Sequence, residues 1–155
     1  MDEKTVKIGV ISDTHLGGYD ENLKSIVARH FNDTDIILHA GDLVDIGVLD
    51  IFERKEIKAV CGNMDNYKTR ERLPEQLIFE VKSFKIGLIH GWGSPGGIEE
   101  KILERLGKVD CVVYGHTHKP ANHKKDNVLF STRDPRRKGI LPHLEPSVFW
   151  KLTKN

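Results

Sequence analysis

The 155-residue sequence predicts a mixed α/β sandwich, and three features carry that expectation. Short apolar runs alternate with a helix-period segment in the first half, and the second half is richer in hairpin-like strand pairs. Five of the apolar runs also stop abruptly at a short polar loop, most of them with a glycine beside the polar residue. That stop is the signature of strands feeding the crevice at the edge of an α/β sheet.

Residues 6–11 (VKIGVI) form the first strand and end at Ser-Asp-Thr-His. A helix over 21–31 follows, with Leu23, Ile26, Val27 and His30 or Phe31 on one face. Residues 36–39 are a second strand ending at Ala-Gly-Asp-Leu, and 48–54 read as a short helix. A third strand over 57–61 ends at Gly-Asn-Met-Asp. Residues 77–81 and 85–89 pair as a hairpin whose second arm ends at His-Gly-Trp-Gly. Ile98, Ile102, Leu103 and Leu106 give 98–106 an apolar helical stripe. A strand over 109–114 runs into Gly-His-Thr-His, and short strands near Asn122, Val128 and Val148 complete the chain. With no internal repeat, low-complexity tract or linker, the expectation is one domain over 1–155.

Composition narrows the class. Hydrophobic content of 38% and charged content of 30% are those of a globular protein with one ordinary core. No apolar run approaches the length of a membrane span, and Met-Asp-Glu-Lys-Thr carries no apolar signal region, so a cytoplasmic protein without membrane partners is expected. A net charge of +1 gives no global pull toward nucleic acid, which enters only as a conceivable substrate; the basic run 133–138 reads as a solvated loop. Cys61 and Cys111 lie in apolar segments without metal-type spacing and read as buried free thiols. Eight histidines is the one unusual count.

Four of those histidines fall at strand ends. The five loops contain Asp13-Thr-His15, Gly41-Asp42, Gly62-Asn63, His90-Gly91 and Gly115-His116-Thr-His118. Together they offer two carboxylates, one amide oxygen and four imidazoles, a donor set suited to Mn, Fe, Zn, Ni or Co. Seven ligands exceed the needs of one four-coordinate ion but suit two divalent ions if one carboxylate bridges. Such a pair clamps the attacking and leaving oxygens of an in-line displacement at phosphorus. Two dications held by two carboxylates leave net positive charge, which favours an anionic substrate. Each motif alone is weak, since an Asp-x-His pair or a lone His39 or His90 is commonly structural; the joint pattern carries the inference.

At these residues the chain resembles the calcineurin-like metallophosphoesterase superfamily, and its size resembles the compact bacterial and archaeal phosphodiesterase branch. The ordered series D-x-H, G-D, G-N, H, G-H-x-H spans roughly residues 6–130. The resemblance implies an αββα sandwich of two sheets flanked by helices, with a dinuclear metal site at the C-terminal ends of the strands. Carried over, Asp13, His15 and His118 would hold one ion, Asn63, His90 and His116 the other, and Asp42 would bridge. All seven would serve catalysis as metal ligands, and Asn63 would also meet substrate; Trp92, two residues past His90, reads by position either as a cleft-lining substrate contact or as a packing residue. The implied reaction is hydrolysis of a small phosphodiester by a metal-bridging hydroxide. A phosphomonoesterase and a catalytically silent binding module of the same fold are the rivals, and homo-oligomerisation stays open.

Three departures stand out. Met64 occupies the position where many relatives place a histidine that protonates the leaving group, which leaves that role vacant or with Asp65, water or the substrate. The arginine that larger relatives carry after Gly-Asp is absent from Gly41-Asp-Leu-Val-Asp45. The branch's Asn-Pro-Gly turn near residue 130 is replaced by Phe130-Ser-Thr-Arg-Asp-Pro135. His39 reads as a packing or hydrogen-bonding residue behind the site, His30, His123 and His143 as surface or structural, and Ser94-Pro-Gly-Gly97 as a capped turn or a phosphate loop.

Overall fold

The computed structural model describes residues 5–134. The expected strand near Val148, His143 and most of the basic run lie outside these residues. Two sheets form the centre of the fold. The first is parallel, β1 (Ile8–Ile11), β2 (Ile36–His39) and β3 (Glu56–Ala59), in that spatial order. The second contains β4 (Gln76–Val81), β5 (Phe84–Ile89), β6 (Cys111–Val113), β7 (Ala121–Lys125) and β8 (Val128–Thr132). Its order is β4-β5-β6-β8-β7, with parallel β5-β6-β8 at its centre and antiparallel hairpins at both edges.

The period of two decides which residues face which layer. Ile8, Val10, Ile36 and Leu38 from the first sheet meet Ile86, Leu88, Cys111 and Val113 from the second in one buried cluster. The alternate residues face outward. Ile11 and Ile37 pack with Leu23, Val27 and Phe31 of α1 (Glu21–His30) and its end. Ile89 and Val112 pack with Ile98, Ile102 and Leu106 of α3 (Ile98–Leu106). The result is helix, sheet, sheet, helix, the αββα arrangement that the family resemblance implies and a form of the mixed α/β sandwich read from the element order. No helix among the described residues is long and apolar enough to cross a membrane.

Local chemistry sets the helix ends. Asp20 caps α1, its carboxylate accepting the Leu23 N–H at 2.7 Å. The segment expected as a short helix over 48–54 is a 3₁₀ helix over Ile46–Phe52, started by the Asp45 carboxylate accepting the Gly47 N–H. One element was not expected. Helix α2 (Tyr67–Arg72) has no apolar stripe for periodicity to reveal, and it forms because Asn66 caps it by accepting the Thr69 N–H at 2.9 Å. Strands β3 and β6 stop short of their apolar runs, at Ala59 and Val113, because the loops that carry the polar residues begin before the apolar residues end, while β1 starts at Ile8 rather than Val6.

Candidate metal centre

The five polar loops leave β1, β2, β3, β5 and β6 at one edge of the sandwich and are stitched to one another by backbone bonds. Asp13 and His15 donate their N–H groups to the carbonyls of Gly41 and Asp42 at 2.9 and 3.0 Å. The Gly115 N–H reaches the His90 carbonyl at 3.0 Å, and the His116 N–H reaches Asp13 Oδ2 at 3.3 Å. The last of these bonds joins a loop of the second sheet to a loop of the first.

Five of the seven candidate ligands, Asp13, His15, Asp42, His116 and His118, have left-handed backbone with φ between 48° and 67°. Each such non-glycine residue costs about 1–3 kcal/mol, and a fold concentrates that strain where function requires it. Val44, β-branched with φ 80°, is a sharper outlier in the same region.

The side chains converge. Ligand atoms of Asp13, His15 and His118 lie within 4.8 Å of one another, and so do those of Asp13, Asp42 and His90. Asp42 Oδ2 stands 3.7 Å from His15 Nε2 and 3.2 Å from His90 Nε2. Asn63 Oδ1 lies 3.1 Å from His90 Nε2 and 3.2 Å from His116 Nδ1. All seven residues therefore meet in one place, with Asp42 between the two groups.

The far nitrogens of the rings fix their tautomers. Nδ1 of His90 lies 2.7 Å from the Ala40 carbonyl, and Nε2 of His116 lies 2.8 Å from the Gly93 carbonyl. A carbonyl only accepts, so each ring donates there and turns its lone pair inward. His90 Nε2 then faces the Asp42 carboxylate, acceptor against acceptor, and only a cation or an added proton reconciles them. A concentration of inward acceptors in a buried pocket fits divalent metal ions.

Titration trends express the same demand for positive charge. Burial pushes the Asp13 carboxyl above its ordinary range, against the hydrogen bond from Ser12 and the charges of His90 and His118. Burial also raises Asp42, but the hydrogen bond and charge of His90, the Met64 amide and His15 outweigh it and hold the carboxyl low. Burial disfavours the charged form of His90, yet bonding and charge from Asp42 and Asp13 win and raise it. His39 differs. Burial, then repulsion from His90, pulls its pKa down to about 3. It stays neutral, accepting the Gly41 N–H at Nδ1 and meeting Thr14 Oγ1 at 3.1 Å, so it braces the loops from behind.

Asp65 was underestimated by sequence reasoning. Its Oδ2 accepts the N–H groups of Gly62 at 2.6 Å and Asp42 at 3.2 Å, and its Oδ1 accepts the Val44 N–H at 2.6 Å. A carboxylate committed to three amides is a clamp between loops, which removes it as the donor for a leaving group. The spacing Gly62-Asn-Met-Asp65 was the available signal, since a short acidic side chain in a turn can hydrogen-bond backbone groups a few residues away. Met64 sends its N–H to Asp42 Oδ1 at 2.8 Å and is itself 56% exposed. Two glycines give the pocket its room. A Cβ at Gly62 would fall 2.2 Å from Asp42 Oδ1, and one at Gly115 would fall 2.7 Å from Asp13 Oδ2.

The remaining candidates separate clearly. Trp92 is 39% exposed and lines a cleft of about 180 Å³ whose walls include Asn63, His90, Arg70 and Arg105. A larger hollow of about 420 Å³, bounded by Glu99, Tyr114 and Lys119, has none of the seven in its walls. His123 pairs with Glu99 at 3.0 Å, away from the centre. In the 94–97 turn the Gly96 N–H bonds to Ser94 Oγ at 3.3 Å, and α3 starts after Gly97 with no side-chain cap. Cys61 and Cys111 are buried free thiols.

Sequence comparison decides the family. The Calcineurin-like phosphoesterase superfamily domain matches residues 6–132. The chain belongs to this superfamily. It is 38% identical over 147 residues to a probable metallophosphoesterase of Methanothermobacter thermautotrophicus, covering 91% of this chain and 82% of the relative. It is 30% identical over 142 residues to phosphodiesterase MJ0936 of Methanocaldococcus jannaschii, covering 80% of each. Among solved structures, Vacuolar Protein Sorting 29 from Cryptosporidium parvum superposes with a TM-score of 0.66 at 24% identity, over 84% of this chain and 74% of that one, a likeness of fold alone. Superfamily membership thus agrees with the two-sheet architecture and with the strand-end loops on which the donor set sits.

Proposed function

We propose that this phosphoesterase is a dinuclear metal-dependent phosphodiesterase. The observation that carries the reading is Asp42 Oδ2 standing within 3.7 Å of His15 Nε2 and 3.2 Å of His90 Nε2, one carboxylate between two ligand groups. Asp13, His15 and His118 would hold one divalent ion, Asn63, His90 and His116 a second, and Asp42 both; Mn, Ni, Fe, Zn or Co suits these donors. Ions held there supply Lewis acidity and bring the pKa of a bound water toward neutrality.

The chain's own residues define the rest. The inward lone pairs of His90 and His116 and the two carboxylates orient the site, and its net positive charge when loaded receives the phosphoryl oxygens. With Asp65 bound to three amides and a thioether at 64, neither of these two residues after the Gly-Asn pair is set to protonate a leaving group. Substrates whose leaving group departs as a stable anion are therefore favoured, aryl esters over alkyl. The cleft beside Asn63 and His90, with Arg70, Arg105 and Trp92 in its walls, gives a second ester substituent a place that a monoester lacks. The buried thiols suit a reducing compartment, in keeping with a cytoplasmic location.

The test compares an aryl phosphodiester with the matching aryl monoester in the presence of Mn or Ni. Faster diester hydrolysis is expected. Faster monoester hydrolysis makes the chain a phosphomonoesterase, and stoichiometric metal uptake with no turnover on either makes it a silent binding module.

A further inference from the structure

The ring of His118 is held differently from those of its neighbours. His90 and His116 each donate to a neutral backbone carbonyl. His118 Nδ1 instead lies 2.7 Å from Asp134 Oδ2, while its Nε2 faces Asp13 Oδ1 at 3.7 Å. Asp134 is 6% exposed although the imidazole it meets is 46% exposed, so the carboxylate comes from the protein side and the ring stands at the rim. The segment that delivers it is anchored. Both the N–H and the hydroxyl of Ser12, next to the ligand Asp13, donate to the Arg133 carbonyl at 2.8 and 2.9 Å. The strand end that supplies Asp13 thus also positions the residue before Asp134. This segment is the one in which the sequence departs from the Asn-Pro-Gly turn of the compact branch.

We propose that Asp134 is a positioning residue that locks His118 in its Nδ1–H tautomer and aims Nε2 into the pocket, making the Asp13–His15–His118 site the tighter of the two. The inference rests on the metal-binding reading above. A carboxylate can only accept, so the proton sits on Nδ1 and the lone pair on Nε2 points inward. An anionic partner also raises the ring's donor strength beyond what a carbonyl provides, and loss of such a partner typically weakens metal affinity 10–100-fold. For a half-exposed ring, packing alone does not choose the rotamer, so the bond to Asp134 carries the orientation.

The test uses the full chain, stripped of metal and then titrated with Mn(II), as wild type, Asp134→Asn and Asp134→Ala. The alanine variant is expected to weaken one binding step about 10–100-fold and leave the other unchanged. The asparagine variant keeps an acceptor without the charge and should fall between. Nitrogen-15 spectra of the metal-free proteins read the tautomer directly, with Nδ1–H at His118 expected in wild type and a mixture in Asp134→Ala. An Nε2–H tautomer in wild type overturns the proposal. So does an alanine variant that unfolds at lower temperature yet binds both ions as wild type does, since that is a purely structural role. Wild type that takes up no Mn(II) removes the metal centre and the affinity claim with it, while the tautomer spectrum still decides whether Asp134 sets the ring.

Discussion

The carboxylate of Asp65 reaches back across 23 residues to accept the backbone N–H of Asp42 at 3.2 Å. The same oxygen holds Gly62 and the other oxygen holds Val44, so one side chain ties the loop of Asn63 to the loop of Asp42. Asp65→Asn replaces an acceptor by a donor facing amides. It should destabilise the fold by about 2–4 kcal/mol in urea unfolding and lower metal content with it. A variant that keeps stability and metal content but loses turnover of alkyl diesters would instead make Asp65 the proton donor.

Met64 supplies a backbone N–H to Asp42 and an exposed side chain to the rim, which makes it a clean position for adding an acid. Met64→His should raise kcat on an alkyl phosphodiester by about 10-fold or more while changing kcat on an aryl diester little. Equal effects on both would mean that leaving-group protonation does not limit the wild-type enzyme.

Gly62 and Gly17 form a matched pair for testing pocket crowding. A Cβ at 62 would overlap the Asp42 carboxylate at 2.2 Å, whereas nothing lies within 4 Å of one at 17. Gly62→Ala should cost about 1–3 kcal/mol and impair metal binding, and Gly17→Ala should stay within about 0.5 kcal/mol of wild type. Calorimetric metal titration together with urea unfolding of both variants checks this.

His39 links stability to acidity. Its pKa falls from an ordinary 6.5 to about 3 on folding, so only the unfolded chain takes up this proton between those values. Stability from this group is complete above pH 6.5 and is lost as pH falls toward 3. At pH 5 the loss is on the order of 2 kcal/mol. Urea unfolding of metal-free protein at pH 7 and pH 5 should show it, and His39→Gln should flatten the difference. An unchanged slope in that variant would assign the acid lability elsewhere.

The layers were legible because the central strands β1, β2 and β6 are short continuous apolar runs, buried on both faces as strands between two layers must be. Ile8 and Val10 face one way and Ile11 the other, and Ile86 and Leu88 against Ile89 repeat the pattern. The seven clustered side chains were legible only jointly, since each motif alone is commonly structural but ligand-type residues at five strand ends in the order D-x-H, G-D, G-N, H, G-H-x-H form a specific series. Helix α2 was invisible because Tyr67-Lys-Thr-Arg-Glu-Arg72 owes its form to the Asn66 cap rather than to a buried stripe. The Gly62-Asn-Met-Asp65 spacing signals only the local bond to Gly62, whereas the reach of Asp65 to Val44 and of Asp134 to His118 spans 21 and 16 residues, which no local pattern encodes.

Anomalous diffraction from a crystal soaked in Mn(II), with data collected at the manganese edge, tests the central claim most directly. Two peaks should flank the Asp42 carboxylate, one against Asp13, His15 and His118 and the other against Asn63, His90 and His116. A single peak, or manganese bound away from Asp42, would contradict the account.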